Sequence, residues 1–273
     1  MKLTYYGVRG SIASPGPETA RYGGNTSCVT VEADDQLLIF DAGTGIRKLG
    51  NELMKREYAK GQGKAHVFIT HAHWDHIQGI PFFAPVYIPG NEFHLYGENI
   101  EESIRRQQSE PNFPREARIN AAMSYHEVRE SQPIQIRDIS ITPARLTHPG
   151  GVLAYRIDHG GRSIVYATDN ENDPAKPGEM EKRLVKLAHE ADLLIIDAQY
   201  TPEEYPRRIG WGHNTYEIGA RVAKEAGVKQ VHLFHHDHSH DDKSIDQIAE
   251  RACALFPNTR AASEGLELEL LAA

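Results

Sequence analysis

Three histidines and an aspartate lie within six positions of the stretch THAHWDHIQG, residues 70–79. In an extended loop, side chains two positions apart project to the same side, so His71 and His73 can converge on one cation. Asp75 and His76 can then face a second cation nearby. The alternative is an ordinary polar loop, and further ligands elsewhere in the chain are needed to favour a metal site.

Three more candidate ligands each follow a predicted strand. His148 stands in ARLTHPGG, Asp169 in IVYATDN and His235 in VHLFHH. Loops at strand ends often gather into one site. Together with the first stretch they make five imidazoles and two carboxylates, enough for two cations with a bridging carboxylate. Such a set without a thiolate suits Zn²⁺ and also Mn²⁺ or Fe²⁺, and the residue types do not choose among them.

A histidine-rich run, HHDHSHDD, holds four histidines and three aspartates in eight positions. Only His235 comes directly off a strand, so it is the predicted ligand, and His236 is the alternative if the strand register differs by one. Asp237 could accept a hydrogen bond from a ligating imidazole. The remainder is predicted to be a polar loop in which Asp241 or Asp242 caps the next helix.

Two series of strands and helices position these residues. Strands are predicted at 2–8, 28–33, 36–40, 65–70, 124–128, 134–136 and 139–145, and then in VLAYRID, RSIVYATD, DLLIIDA and KQVHLF. Helices are predicted near 45–58, 98–109, 178–190, 215–226 and 244–255. Strands that alternate with helices in two similar halves predict an α/β sandwich of four layers, with two mixed sheets face to face and helices outside.

Composition limits the function further. With 273 residues, 40% hydrophobic and 25% charged, and without a linker-like tract, the chain is predicted to be one domain over residues 1–273. A formal net charge of −8 argues against sequence-independent binding to nucleic acid but allows a small anionic substrate held by cations. The two cysteines, Cys28 and Cys253, form no C-x-x-C pair, which excludes a disulfide framework and a Cys₄ zinc site.

The N-terminal stretch MKLTYYGVRGS lacks the apolar core of a signal peptide, and the chain has no apolar run of about 18 residues. We therefore expect a cytoplasmic protein without a membrane partner. A homodimer stays open.

The order of the ligands, H-x-H-x-D-H and then an isolated His, an Asp and a final His, resembles the signature of the metallo-β-lactamase superfamily over nearly the whole chain. The chain most resembles the phosphodiesterase branch, which includes RNase Z-type endonucleases and cyclic-nucleotide phosphodiesterases. The resemblance implies the αβ/βα sandwich of that superfamily. It also implies two sets of metal ligands joined by a bridging aspartate: His71, His73 and His148 on one metal, Asp75, His76 and His235 on the other, and Asp169 between them.

The resemblance implies roles for residues around the metals as well. Asp41 in IFDAGTG matches the strand-end aspartate that orients the histidine loop. His213 in GHNT matches the GHST-like element of the endonucleases, whose histidine assists at the scissile phosphate; the alternative is a surface loop histidine. The implied reaction is in-line attack on phosphorus by a hydroxide shared by the two cations. The implied catalytic residues are His213, Asp75 and Asp169.

The interval from His148 to Asp169 narrows the substrate. It spans only 21 positions, which leaves no room for the tRNA-clamping arm that RNase Z enzymes generally insert there. With the negative net charge, this favours a small phosphodiester, a cyclic nucleotide or dinucleotide, over an RNase Z-like tRNA 3′-endonuclease. A lactonase or thioesterase remains an alternative. A non-enzymatic metal-binding or sensor module is disfavoured, because degenerate members would be expected to lose ligands.

Two segments are candidates for substrate contacts. One lies in a region of about 93–130 that could be an insert covering the site; its guanidinium groups and an aromatic ring would suit a phosphate and a base. These side chains are Arg105, Arg106, Arg115, Arg118 and Phe113. The other segment, RYGGNTS, resembles the loop that borders the metal site in this branch, and Asn25, Thr26 and Ser27 could hydrogen-bond oxygens there. The alternatives are a solvated helix face and an ordinary turn.

Overall fold

The computed structural model describes residues 1–111, 113, 119–171 and 178–272. Its strands are β1 Lys2–Gly7, β2 Cys28–Ala33, β3 Gln36–Phe40, β4 Lys64–Phe68, β5 Glu92–Gly97, β6 Ala122–Glu127, β7 Ile134–Ile136, β8 Ile139–Leu146, β9 Val152–His159, β10 Arg162–Ala167, β11 Leu193–Asp197, β12 Val231–Phe234, β13 Thr259–Ala261 and β14 Glu267–Glu269. Its α-helices are α1 Gly45–Leu53, α2 Trp74–Ile77, α3 Ile100–Gln107, α4 Glu179–Leu187, α5 Tyr216–Ala226 and α6 Asp242–Leu255.

The strands that the structure describes form two sheets of seven, in the orders β14-β1-β2-β3-β4-β5-β6 and β13-β12-β11-β10-β9-β8-β7. Both sheets are mixed. In the first, β3 to β6 run parallel and the strands on the β1 side pair antiparallel. In the second, β10 to β13 run parallel and β7 to β10 pair antiparallel.

Three buried apolar clusters separate four layers. The central cluster joins the inner faces of the two sheets and includes Phe40, Phe68, Tyr155 and Tyr166. A second cluster packs the outer face of one sheet against α4, α5 and α6, and a third packs the other sheet against α1 and α3. Burial of apolar surface on both faces of each sheet is the main stabilising contribution to this arrangement. The predicted four-layer sandwich is confirmed.

The sequence patterns missed three strands, β5, β13 and β14. β13 and β14 have three residues each, which is too short for an alternating pattern. The expected insert at about 93–130 contains most of β5 and all of β6, which are adjacent parallel strands of the first sheet. Much of that segment is therefore part of the sheet itself, and a substrate-covering role for the rest stays a prediction.

The topology brings the ends of six strands to one edge of the molecule. β3 and β4 in one sheet and β10, β11 and β12 in the other are parallel, so their carboxyl ends lie together, and β8 ends nearby. Polar loops concentrate at such an edge in α/β folds. In the described residues no helix has both the length and the apolar character needed to cross a membrane.

Candidate metal centre

Three of the strand-end residues share an uncommon backbone conformation. Asp41 (φ 60°), Asp169 (φ 51°) and His235 (φ 59°) follow β3, β10 and β12 and lie in the left-handed region. Aspartate and histidine adopt this region more often than most residues, and such positions tend to mark functional sites. All three are buried, with at most 1% of their surface exposed.

The first predicted ligand set comes together in the structure. His71, His73 and His148 each offer a ring nitrogen within 4.8 Å of the others. His148 Nε2 lies 3.1 Å from His73 Nδ1, and the buried Nε2 of His71 has no hydrogen-bond partner within the described part of the chain. The ring nitrogens of His148 and His73 therefore face each other beside that of His71. A cation between them could bind all three rings.

The second set also converges. His235 Nε2 lies 3.1 Å from Asp75 Oδ2 and 3.2 Å from Asp169 Oδ1. His76 Nε2 lies 3.2 Å from the same two oxygens. The other carboxylate oxygen of Asp169, Oδ2, lies 3.8 Å from Nε2 of His71 in the first set. Asp169 therefore has one oxygen toward each set, the arrangement expected of a bridging ligand.

The charge states of these groups fit divalent cations. Burial lowers the pKa of His71, His73 and His148, so these rings are neutral, the form that ligates metals. Burial opposes ionisation of Asp75 and Asp169, but the neighbouring imidazoles hold the pKa of both carboxyls well below the usual range. Burial also opposes protonation of His76, but the carboxylates of Asp169, Asp75 and Asp41 raise its pKa well above its usual value. This surplus of negative charge around His76, together with the neutral rings of the first set and the absence of a thiolate from both sets, suits divalent cations.

Two of the ligating histidines are held by partners outside the ligand sets. Asp41 accepts from His76 Nδ1 at 2.8 Å, from the Thr70 backbone and hydroxyl, and from the Tyr166 hydroxyl at 2.9 Å, as the Asp41 prediction requires. His148 Nδ1 donates to the Gly212 carbonyl at 2.9 Å. Such partners fix the ring orientation and tautomer of a ligating histidine.

Asp237 is not the direct partner of a ligating ring. His235 Nδ1 donates instead to Gln199 Oε1 at 2.8 Å, and the Gln199 amide donates to Asp237 at 3.2 Å. Asp237 also accepts from the backbone and hydroxyl of Ser239. Its effect on His235 is thus relayed through Gln199, which sequence reasoning missed because glutamine carries no motif signal here.

The rest of the histidine-rich run is structural. The His236 ring nitrogen Nε2 lies 2.9 Å from the Ala262 carbonyl, so that ring points away from the metal ligands. Asp241 caps α6 by accepting from the Ser244 backbone at 2.8 Å, as predicted. A fully buried arginine, Arg9, donates to the carbonyls of Asp237 and His240 and fixes the run in place.

His213 lies directly beside the two ligand sets. Its ring stacks on that of His235, with centroids 4.9 Å apart, and Nδ1 lies 2.8 Å from Asp197 Oδ2. Burial lowers the pKa of His213, but the Asp197 carboxylate, with Asp169 and Asp75, more than offsets this and raises it to about 9. Because Nδ1 is held by Asp197, Nε2 is the atom that can exchange a proton with a substrate.

Asp197 was not predicted from the sequence. Besides His213, it accepts backbone hydrogen bonds from Asp169, Gln199 and Asn214, at 3.1–3.2 Å. Asp197 and His213 also form a potential cation site with Asp169 and His235. A cation at that site would share two of the seven ligands and would break the His213–Asp197 hydrogen bond.

A second unpredicted contribution is a loop that closes over the second ligand set. The Ser11 backbone N–H donates to Asp75 Oδ2 at 2.8 Å. A side chain at Gly10 would collide with the His235 ring, so only glycine allows this close approach. The sequence offered no signal for it beyond the glycine itself.

The predicted substrate contacts of the N-terminal loop stay a prediction, because two of the three side chains already bond to other parts of the protein. Asn25 donates its side-chain amide to Glu264 at 3.0 Å, and the Thr26 hydroxyl bonds the Thr44 backbone at 2.8 Å. Among the residues that the structure describes, the buried Ser27 hydroxyl has no hydrogen-bond partner. Asn25 and Thr26 thus hold the loop to the C-terminal segment and to the start of α1.

The other candidate segment is not shown to reach the metal centre. Arg105 and Arg106 pair with Glu101 and Glu102 one turn earlier on α3, at 2.8 and 2.6 Å, on an exposed face. The ring centroids of Phe113 and the exposed Phe82 lie 6.3 Å apart. Arg115 and Arg118 lie outside the described residues. The solvated helix face fits Arg105 and Arg106 better than a substrate site does.

Comparison with known proteins agrees with this geometry. Residues 37–236 match the family model described as Beta-lactamase superfamily domain. The chain is 24% identical to the Ribonuclease Z of Haloarcula marismortui over 313 aligned positions, covering 98% of this chain and 96% of that protein. That alignment is longer than the 273 residues of this chain, so the relative carries residues without a counterpart here.

Solved structures share the fold. The metallo-beta-lactamase fold protein YhfI from Bacillus subtilis superposes with a TM-score of 0.74 at 21% identity and 98% coverage of both chains. Unliganded yeast PDE1 superposes with a TM-score of 0.71 at 13% identity, covering 98% of this chain and 99% of that one. At these identities the likeness concerns the fold alone.

Proposed function

We propose that this chain, which belongs to the beta-lactamase superfamily and is a metal-dependent hydrolase, cleaves phosphodiester bonds of a small cyclic nucleotide or dinucleotide. The observation that carries the proposal is the hydrogen-bonded pair of His213 and Asp197 beside the two ligand sets. The His213 ring stacks on that of His235, a member of the second set. A proton-carrying imidazole beside two cation sites suits departure of an alkoxide from a phosphorus centre.

The ligand residues, His213 and Asp197 would have separate roles in this reaction. His71, His73 and His148 would hold one cation, while Asp75, His76 and His235 would hold the other and Asp169 would join them. Zn²⁺, Mn²⁺ or Fe²⁺ bound there would lower the pKa of water and withdraw charge from the phosphoryl oxygens. His213 would carry a proton on Nε2 and give it to the leaving oxygen, while Asp197 keeps the ring oriented.

A small substrate is supported by the interval between His148 and Asp169. β9 and β10 fill it as a hairpin with a turn at Gly160 and Gly161, so no arm extends from this position. A formal net charge of −8 also disfavours a long polyanion. We propose a small phosphodiester as the partner.

A tRNA 3′-endonuclease is the second candidate, favoured by the similarity to Ribonuclease Z along nearly the whole chain. The two are separated by assaying protein loaded with Zn²⁺, Mn²⁺ or Fe²⁺ against a cyclic nucleotide, a dinucleotide, precursor tRNA, bis(p-nitrophenyl) phosphate and a lactone. We expect turnover of the small phosphodiesters and little cleavage of precursor tRNA. Faster cleavage of precursor tRNA than of any nucleotide would favour the endonuclease, and turnover of the lactone alone would overturn both.

A further inference from the structure

An arginine beside the metal centre lies between two aromatic rings. The guanidinium carbon of Arg208 lies 4.8 Å from the centroid of Trp211 and 5.9 Å from that of Tyr200. The Tyr200 ring in turn lies 5.8 Å from the ring of His213. Within the described part of the chain, no carboxylate forms an ion pair with Arg208, so its charge is available to a ligand.

Both tryptophans of the chain border the first ligand set. Trp74 follows His73 directly, and Trp211 precedes Gly212, whose carbonyl accepts from His148. Each tryptophan is 59% exposed, although large aromatic side chains are usually mostly buried. Exposed aromatic rings around a polar site commonly mark a ligand-binding surface.

The loop that presents Trp211 is rigidly held. Glu171, 4% exposed, accepts from the backbone N–H of Gly210 at 2.8 Å, of Gly212 at 2.7 Å, and from the Tyr205 hydroxyl at 2.9 Å. Both glycines have positive φ, 88° and 93°, which turns the chain sharply on either side of Trp211. The exposure of Trp211 is therefore built into the backbone, and a ligand need not order this loop before binding.

We propose that Arg208 and Trp211 form the binding site for the planar base of a nucleotide substrate, beside the cations that would hold its phosphate. The inference rests on the proposed function. Indole and guanidinium offer flat π surfaces for stacking, and the guanidinium edge offers donors to acceptors on a base or phosphate. An aliphatic ester would use neither property, so the pair selects nucleotides over other esters.

The test uses intrinsic fluorescence, because Trp74→Phe leaves Trp211 as the only tryptophan. We would titrate the metal-loaded Trp74→Phe protein with adenosine monophosphate, and with ribose 5-phosphate, which lacks the base. We expect saturable quenching by the nucleotide alone. Adding Arg208→Gln should raise its Kd about tenfold, within the range for a lost stacking contact. Adding Arg207→Gln, which removes the same charge from the exposed neighbour, should change Kd less than twofold.

Absence of quenching, or equal Kd values for the Arg208→Gln and Arg207→Gln proteins, would overturn the inference. The Trp211 loop could instead contact a second copy of the chain. In that case Trp211→Ala would sediment at a lower mass than the parent protein and would bind the nucleotide no more weakly. That result would also overturn the inference. Bis(p-nitrophenyl) phosphate turnover is measured in parallel. Turnover without quenching leaves the proposed function standing, whereas quenching without turnover of any phosphodiester contradicts the function and not the binding site.

Discussion

His213 depends on one buried carboxylate for both its orientation and its charge. Asp197 Oδ2 lies 2.8 Å from its Nδ1 and is the main group that raises its pKa against the effect of burial. The same carboxylate accepts three backbone N–H groups, so it cannot follow the ring if the ring moves. This fixed anion is what makes a histidine an effective proton donor near neutral pH.

Asp197→Asn should therefore lower kcat about 10- to 100-fold while both cations remain bound. Because the asparagine no longer stabilises the imidazolium, the pKa of His213 should fall, and the alkaline limb of the kcat–pH profile should move to lower pH. Asp192→Asn, at the other end of β11, serves as the control and should leave kcat within about twofold. An unshifted alkaline limb in Asp197→Asn would remove the assigned role of this pair.

The residue pattern and the family resemblance that it carries predicted the ligand sets and His213, but not Asp197. The signal was present, because LLIIDA ends an apolar run in an aspartate just as IFDAGTG and IVYATDN do. The strand-end rule that selected Asp169 applies equally to Asp197. Asn25 and Thr26 show the converse, since amide and hydroxyl groups near a site are often used to hold a loop.

Two loops complete the centre at the scale of elements. The loop around Gly10 covers the second ligand set, and the loop ending at Gly212 supports the first through His148. Neither loop could be predicted from hydrophobic periodicity, because the path of a loop depends on the hydrogen bonds that its backbone groups form with neighbouring residues. The strands, most of them short apolar runs that are buried on both faces, were predictable to within a few residues except for β5, β13 and β14.

Gly212 and Gly210 offer a matched pair for testing this support. Both have positive φ, so alanine at either costs about 1–2 kcal/mol of backbone strain. At Gly210 the added methyl group meets nothing within 4 Å, whereas at Gly212 it collides with the His148 ring. We expect Gly212→Ala alone to lose the cation of the first ligand set, measured as bound metal per chain. Equal metal content in the two variants would show that Gly212 does not position His148.

At the scale of the whole molecule, a buried histidine links stability to pH. His232 on β12 is fully buried; its Nδ1 lies 2.6 Å from the Tyr5 hydroxyl on the facing sheet, and its Nε2 lies 2.9 Å from the Gln230 amide nitrogen. Burial, with a smaller effect of Arg260, lowers its pKa to about 3. The folded protein therefore holds this ring neutral where the unfolded chain would protonate it.

In the folded protein the pKa of His232 lies below its usual value near 6.5. The stability associated with its neutral ring is therefore fully present above about pH 6.5 and is lost as the pH falls toward 3. Urea unfolding should show a loss of about 2 kcal/mol from this group between pH 7 and 5. His232→Gln should reduce that dependence, whereas His189→Gln, at an exposed position, should not. An unchanged pH dependence in His232→Gln would contradict this account.

The central claim is that seven side chains hold two cations and that both are needed to cleave a phosphodiester. The direct measurement is a titration of metal-stripped protein with Zn²⁺, Mn²⁺ or Fe²⁺, following bound metal and hydrolysis of bis(p-nitrophenyl) phosphate together. Turnover should rise to a plateau at two bound ions per chain for at least one metal. Protein that holds two ions of each metal in turn and hydrolyses no phosphodiester with any of them would contradict it.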